Sequence, residues 1–136
     1  MNIQVEIDRM GSLKSAAQML VDYARAVTEG SDFVCYTEWN LEPDNWLVIS
    51  FNYIRTKTIT LTLGVPLGSL PDVTGLNVNS RFSWARIRVK AIEEMPAVMQ
   101  CLRYAHLNAS NKYRKRSGRH AHRISGDLGP QVPGNP

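Results

Sequence analysis

The sequence predicts an α+β fold: a four-stranded, mainly antiparallel sheet with two helices packed on one face and a disordered basic C-terminal tail. Three observations carry this expectation. Apolar residues recur at helical spacing from Leu13 to Val27, and they alternate with polar ones through 57–63 and 81–90. After Leu107 both the apolar content and its periodicity collapse.

In chain order, Ile3, Val5 and Ile7 alternate as a strand would, so residues 2–8 are expected to add an edge strand. Ser12 can accept from the free N–H groups of a first helical turn. Leu13, Ala16, Ala17, Leu20, Ala24 and Val27 then form one stripe, and Gly30 suits a helix stop, which predicts a helix over 12–29. Residues 33–39 are rich in aromatic and β-branched types and read as a strand. Glu42-Pro43-Asp44-Asn45 is turn chemistry, because proline presets one dihedral and Asp and Asn tolerate the tight one. A second strand is expected over 46–54, with Arg55-Thr56 turning the chain into a third over 57–63. There Ile59, Leu61 and Leu63 face a core, and Thr58, Thr60 and Thr62 face water. The short connections predict an antiparallel meander.

Residues 64–80 hold three glycines and two prolines and read as a long loop. A fourth strand over 81–90 places Ala85, Ile87 and Val89 on one face and Trp84, Arg86, Arg88 and Lys90 on the other. Glu93, Glu94 and Pro96 suit the start of a second helix, where negative charge and a first-turn proline are favourable. Val98, Leu102 and Ala105 supply its apolar stripe, and Asn108, Ser110 and Asn111 mark its end. The organisation is therefore one α+β domain over 1–110 and a flexible tail over 111–136, basic and then rich in Gly and Pro.

The composition, 43% apolar and 21% charged, excludes a mainly disordered or collagen-like chain. No apolar run reaches the ~20 residues of a membrane helix, and no signal-peptide pattern opens the chain, so a cytoplasmic location without membrane contact is expected. Cys35 and Cys101 lie in apolar segments with no CxxC or Cys/His spacing and read as buried free thiols. The net charge of +4 is unevenly placed. Residues 1–107 carry ten basic and eleven acidic residues, a net −1, whereas 108–136 carry six basic and one acidic, a net +5. A near-neutral domain with a basic extension suits a polyanionic partner for that extension, or a charged end that only solubilises.

Signatures of catalysis are absent from the sequence. It holds no GxxxxGK[ST], GxGxxG, HExxH or GxSxG. A metal-dependent nuclease core needs an acid–x–lysine triplet, and Arg55-Thr56-Lys57 and Arg88-Val89-Lys90 lack the acid. His120 and His122 have no cysteine or carboxylate close in sequence to complete a metal site. Neither a catalytic residue, a metal nor a cofactor is expected. The candidate nucleic-acid-binding residues are Lys112, Tyr113, Arg114, Lys115, Arg116, Arg119 and Arg123, with Arg86, Arg88 and Lys90 as a second cationic row. Cations release counterions from phosphates, and Tyr113 offers a ring for a base or sugar.

The segments FNYIRTKTITLTLGVP and SRFSWARIRVKAIEEMPAVMQCLRYAH resemble a small family of unknown function whose members lie beside restriction-type nuclease domains. The shared elements are an aromatic–basic step into a regular strand, then a Trp-led basic strand followed by a final helix. Here that helix ends Tyr104-Ala105, the reverse of the family's Ala-Tyr order. The resemblance spans roughly residues 12–107 and implies a nucleic-acid-associated accessory role without site residues of its own. The expected function is a non-enzymatic accessory protein that binds nucleic acid weakly and non-specifically through its basic C-terminal segment. The alternative is a protein–protein interaction module that docks a partner through loop 64–80 and exposed aromatics while the tail only solubilises, and a third reading is a small-ligand binder or enzyme using a pocket under that loop.

Overall fold

A computed structural model describes residues 2–55 and 57–109. The chain opens with a short helix, α1 (Ile3–Asp8), where an edge strand was expected. Ile3 and Ile7 are four apart, so the same residues that alternate also share one helical face, and both are buried while Val5 is 47% exposed. Asn2 settles the local choice: its backbone is extended and its Oδ1 accepts from the Gln4 N–H at 2.8 Å, capping the helix. A 3₁₀ turn (Gly11–Leu13) leads into α2 (Lys14–Val27), two residues inside each end of the expected span. Ser12 caps neither, and Gly30 follows α2 with a φ of +86°.

The sheet has six antiparallel strands, not four. The expected run 33–39 is two strands, β1 (Asp32–Cys35) and β2 (Trp39–Glu42), folded on each other about 36–38. That turn, Tyr36-Thr37-Glu38, has no Gly, Pro, Asn or Asp to announce it. β3 (Leu47–Asn52) and β4 (Thr58–Leu63) form the expected hairpin. Segment 64–80 is not one loop: a 3₁₀ turn (Leu67–Ser69) precedes β5 (Asn77–Arg81), which pairs with β6 (Trp84–Val89). β5 is polar and occupies the sheet edge, where backbone bonds to one neighbour suffice without an apolar face. The strand order is β1-β2-β3-β4-β6-β5. A third helix, α3 (Met95–Asn108), carries Pro96 in its first turn.

Register places Phe33, Trp39, Ile49, Leu61, Leu63 and Ile87 on one sheet face, and these join Ile7, Leu20, Val98 and Leu102 of the helices in one core. All three helices therefore cover the same face. Two indole hydrogen bonds stitch the layers: Trp39 Nε1 donates to Glu6 at 2.7 Å, and Trp46 Nε1 to Thr28 at the end of α2 at 2.8 Å. Ile59, Leu61, Ile87 and Val89 are fully buried, as the alternation requires. On the opposite face the expectation for the threonines fails in part, because Thr58 and Thr62 are each 7% exposed and only Thr60 is half-buried. Cys101 is buried, but Cys35 is exposed at the end of the edge strand β1. Among the described residues no helix is long and apolar enough to cross a membrane.

Candidate nucleic-acid interface

The face of the sheet away from the helices has two regions. At one end Asn40, Val48, Thr62 and Trp84 are buried. Register sets Val48 beside Thr62 and Asn40, and Arg81 beside Trp84, so all of these side chains belong to this face. Over them Arg81 of β5 reaches Glu38 of the β1–β2 turn. Trp84, which the alternation groups with the cations, is 6% exposed and packs with Val48. It presents no open ring.

The other region is polar and mixed in exposure: Asn77, Asn79 and Arg88 are exposed, Thr60 and Arg86 are half-buried, and Thr58 is buried. Along β6 the buried Ala85, Ile87 and Val89 alternate with Arg86 and Arg88, whose side chains follow the pleat to the far face. Arg86 stands between Thr62 of β4 and Asn79 of β5, and Arg88 between Thr60 and Asn77. Arg86 Nε donates to Asn79 Oδ1 at 3.2 Å, which orients the guanidinium. Arg88 is exposed. Among the described residues neither forms an ion pair, in contrast to Arg81, Arg25 and Lys14. Lys90 is exposed one residue beyond β6, and its backbone N–H donates to the Glu94 carboxylate at 2.8 Å.

The structure thus places Arg86, half-buried, and Arg88, exposed, on the same face of β6, with the exposed Lys90 past the strand's end. Lys112, Tyr113, Arg114, Lys115, Arg116, Arg119 and Arg123 lie outside the described residues. Sequence reasoning missed Phe82, one of the two residues that join β5 to β6. It is 49% exposed, and among the described residues it is the one aromatic side chain that is exposed. No periodicity marks it, because it belongs to a turn.

Segment 64–80 is largely a cover. Val65 is buried and its carbonyl accepts from the Ala85 N–H at 2.8 Å, while Leu67, Leu70, Val73 and Leu76 pack against the core. Trp39 and Trp46 are also inside. Of the carboxylates of β2 and the turn before it, Glu38 is paired with Arg81, and Glu42 accepts from the Tyr36 hydroxyl at 3.0 Å. No group of three or more His, Cys, Asp or Glu among the described residues could hold a metal ion.

No protein-family model matches this chain, and no curated protein or solved structure matches it.

Proposed function

We propose that this chain is a non-enzymatic accessory protein that binds nucleic acid weakly and without sequence preference. The observation that carries the reading is the pair Arg86 and Arg88, two residues apart on one face of β6, the first half-buried and the second exposed, and paired with no carboxylate among the described residues. The cations of 112–123 supply further phosphate contacts in this reading, and Lys90 extends the row. Contacts of this kind position a protein on a backbone and carry no sequence information. Affinities in the range of roughly 10⁻⁴ to 10⁻⁶ M at physiological salt follow from that.

Polarisation of a labelled duplex and a labelled single strand across salt concentrations tests the reading. With four or five phosphates engaged by 112–123 and up to two more by Arg86 and Arg88, the logarithm of the binding constant falls against log salt with a slope of about −3 to −6. Replacing Arg114, Lys115 and Arg116 by Ala flattens the slope by up to about 2.7, and replacing Arg86 and Arg88 by up to about 1.8. Absence of binding to either probe at low salt refutes the proposal.

A further inference from the structure

β5 and β6 are joined by Phe82 and Ser83 alone, since Arg81 and Trp84 are already a cross-strand pair. Two-residue hairpin turns of the favoured types hold their first central residue at positive φ, and glycine, asparagine or aspartate usually occupies it. Here that residue is Phe82, at φ +56°, and it is the only non-glycine with positive φ among the described residues. For a bulky L residue this conformation brings Cβ against the following carbonyl oxygen. Burial does not compensate, because the ring is half exposed while Trp84, two residues on, is buried. A local rule is broken without a packing gain, which is the pattern expected where a side chain is displayed for a ligand.

What the ring could meet is set by its neighbours. No other large apolar side chain of the β5–β6 hairpin, from Asn77 to Val89, is exposed, so the hairpin itself offers a protein partner a single ring and no apolar row. A single aromatic face is enough for one nucleobase. Arg86 is four residues on from Phe82, at most about 13 Å away at roughly 3.3 Å per extended residue, a span that about four stacked nucleotides at roughly 3.4 Å each would cover. We infer that Phe82 is a stacking platform for an unpaired base of a single-stranded nucleic acid whose phosphates run along Arg86 and Arg88. The inference rests on the nucleic-acid reading above and adds to it a preference for single strands, because a duplex keeps its base faces stacked inside.

The test compares the full chain with Phe82→Gly, Phe82→Ala and Phe82→Trp, using a labelled oligothymidine and a duplex of equal length at low salt. Glycine accepts positive φ freely, so Phe82→Gly melts at the wild-type temperature or above it. It binds oligothymidine roughly 5- to 150-fold more weakly, as expected for one lost stack, with an unchanged salt slope and duplex affinity within about twofold. Phe82→Ala shows the same loss, and Phe82→Trp restores binding. A clear fall in the melting temperature of Phe82→Gly makes the ring a packing element and overturns the inference. Unchanged affinity for oligothymidine, or an equal loss for both probes, overturns it too, and the reading through Arg86 and Arg88 survives if their replacement still flattens the slope. If the wild-type chain binds neither probe, both ideas fall.

Discussion

Arg81 Nη1 lies 3.2 Å from each carboxylate oxygen of Glu38, although the strands that carry or adjoin these residues are far apart in the sheet. From β2 to β5 the sheet takes four strand steps, about 19 Å in a flat sheet at roughly 4.8 Å per step. The contact therefore requires this end of the sheet to curl until the β1–β2 turn meets β5 above Val48, Thr62 and Trp84. Sheet twist makes such curling natural, and the ion pair fastens it.

Removing one member of this pair leaves a partly buried charge without its partner. Glu38→Gln and Arg81→Met are each expected to destabilise the fold by about 1–3 kcal/mol. The double replacement costs less than the sum of the two, because no orphaned charge is left. Urea unfolding of the four proteins measures the coupling. Strictly additive losses would show that the two side chains act independently.

Leu61 and its neighbour Thr60 separate the two faces of β4. Leu61 is fully buried and Thr60 half-buried. Leu61→Ala should cost roughly 2–5 kcal/mol and Thr60→Ala well under that. Thr62, beneath the Glu38–Arg81 contact, should fall between them. A cost at Thr60 equal to that at Leu61, read from denaturant midpoints, would show that Thr60 is packed as tightly as the core.

Asp32, at the start of the edge strand β1, links acid sensitivity to one ion pair. Burial alone raises its pKa. The hydrogen bond from Arg25 Nε at 2.7 Å, that from the Phe33 N–H at 2.7 Å and the Arg25 charge outweigh this and hold it below the ordinary value. A depressed carboxylate contributes stability that is present above the unfolded-state value, about 4, and is lost as pH falls below it. The Asp32 side chain is 64% exposed, so solvent screening limits the effect to a few tenths of a kcal/mol. Urea midpoints taken at pH 7 and pH 3 should fall slightly less for Asp32→Asn than for the wild-type chain. Identical falls would mean that the pair contributes nothing.

The two cysteines should differ sharply towards alkylating reagents. Burial and the Glu6 carboxylate raise the Cys35 thiol, and burial and Asp72 raise that of Cys101. Cys35 is accessible, so iodoacetamide modifies it slowly at pH 7 and faster as the pH rises. Cys101, inside α3, reacts only when the protein unfolds. Mass spectrometry after labelling with and without urea reads both. Modification of Cys101 in the native chain at the rate of Cys35 would contradict the packing of α3.

The elements legible in the sequence were those with an apolar face to bury. The stripe of α2, the apolar alternation of β4 and β6, and α3 with Glu94 and Pro96 at its start all follow from the apolar face that each turns to the core. The polar edge strand Asn77–Arg81 has no such signal, since its pairing is made by the backbone. Ile3 and Ile7 fit two periodicities at once, and only the Asn2 cap separates them. At the candidate site the alternation of β6 placed Arg86 and Arg88 on the face away from the helices, but it grouped with them a tryptophan that the curl of the sheet buries. Curl depends on Glu38 and Arg81, 43 positions apart, and the left-handed backbone of Phe82 on a turn closed by its neighbours. Neither is a local property.

The strand order has a kinetic consequence. Chain leaving β4 runs to the sheet edge as β5 and returns as β6, so β6 must meet β5 across two residues and β4 across the whole of 64–83. Hairpins form in about 1–10 μs, and a two-residue connection costs less closure entropy than the 64–83 segment that pairing with β4 must close. The hairpin is then an early template onto which the edge of β4 zips, and the crowded backbone at Phe82 raises its free energy while it forms. In stopped-flow refolding, Phe82→Gly should accelerate folding and leave unfolding nearly unchanged, the signature of a position already native-like in the transition state.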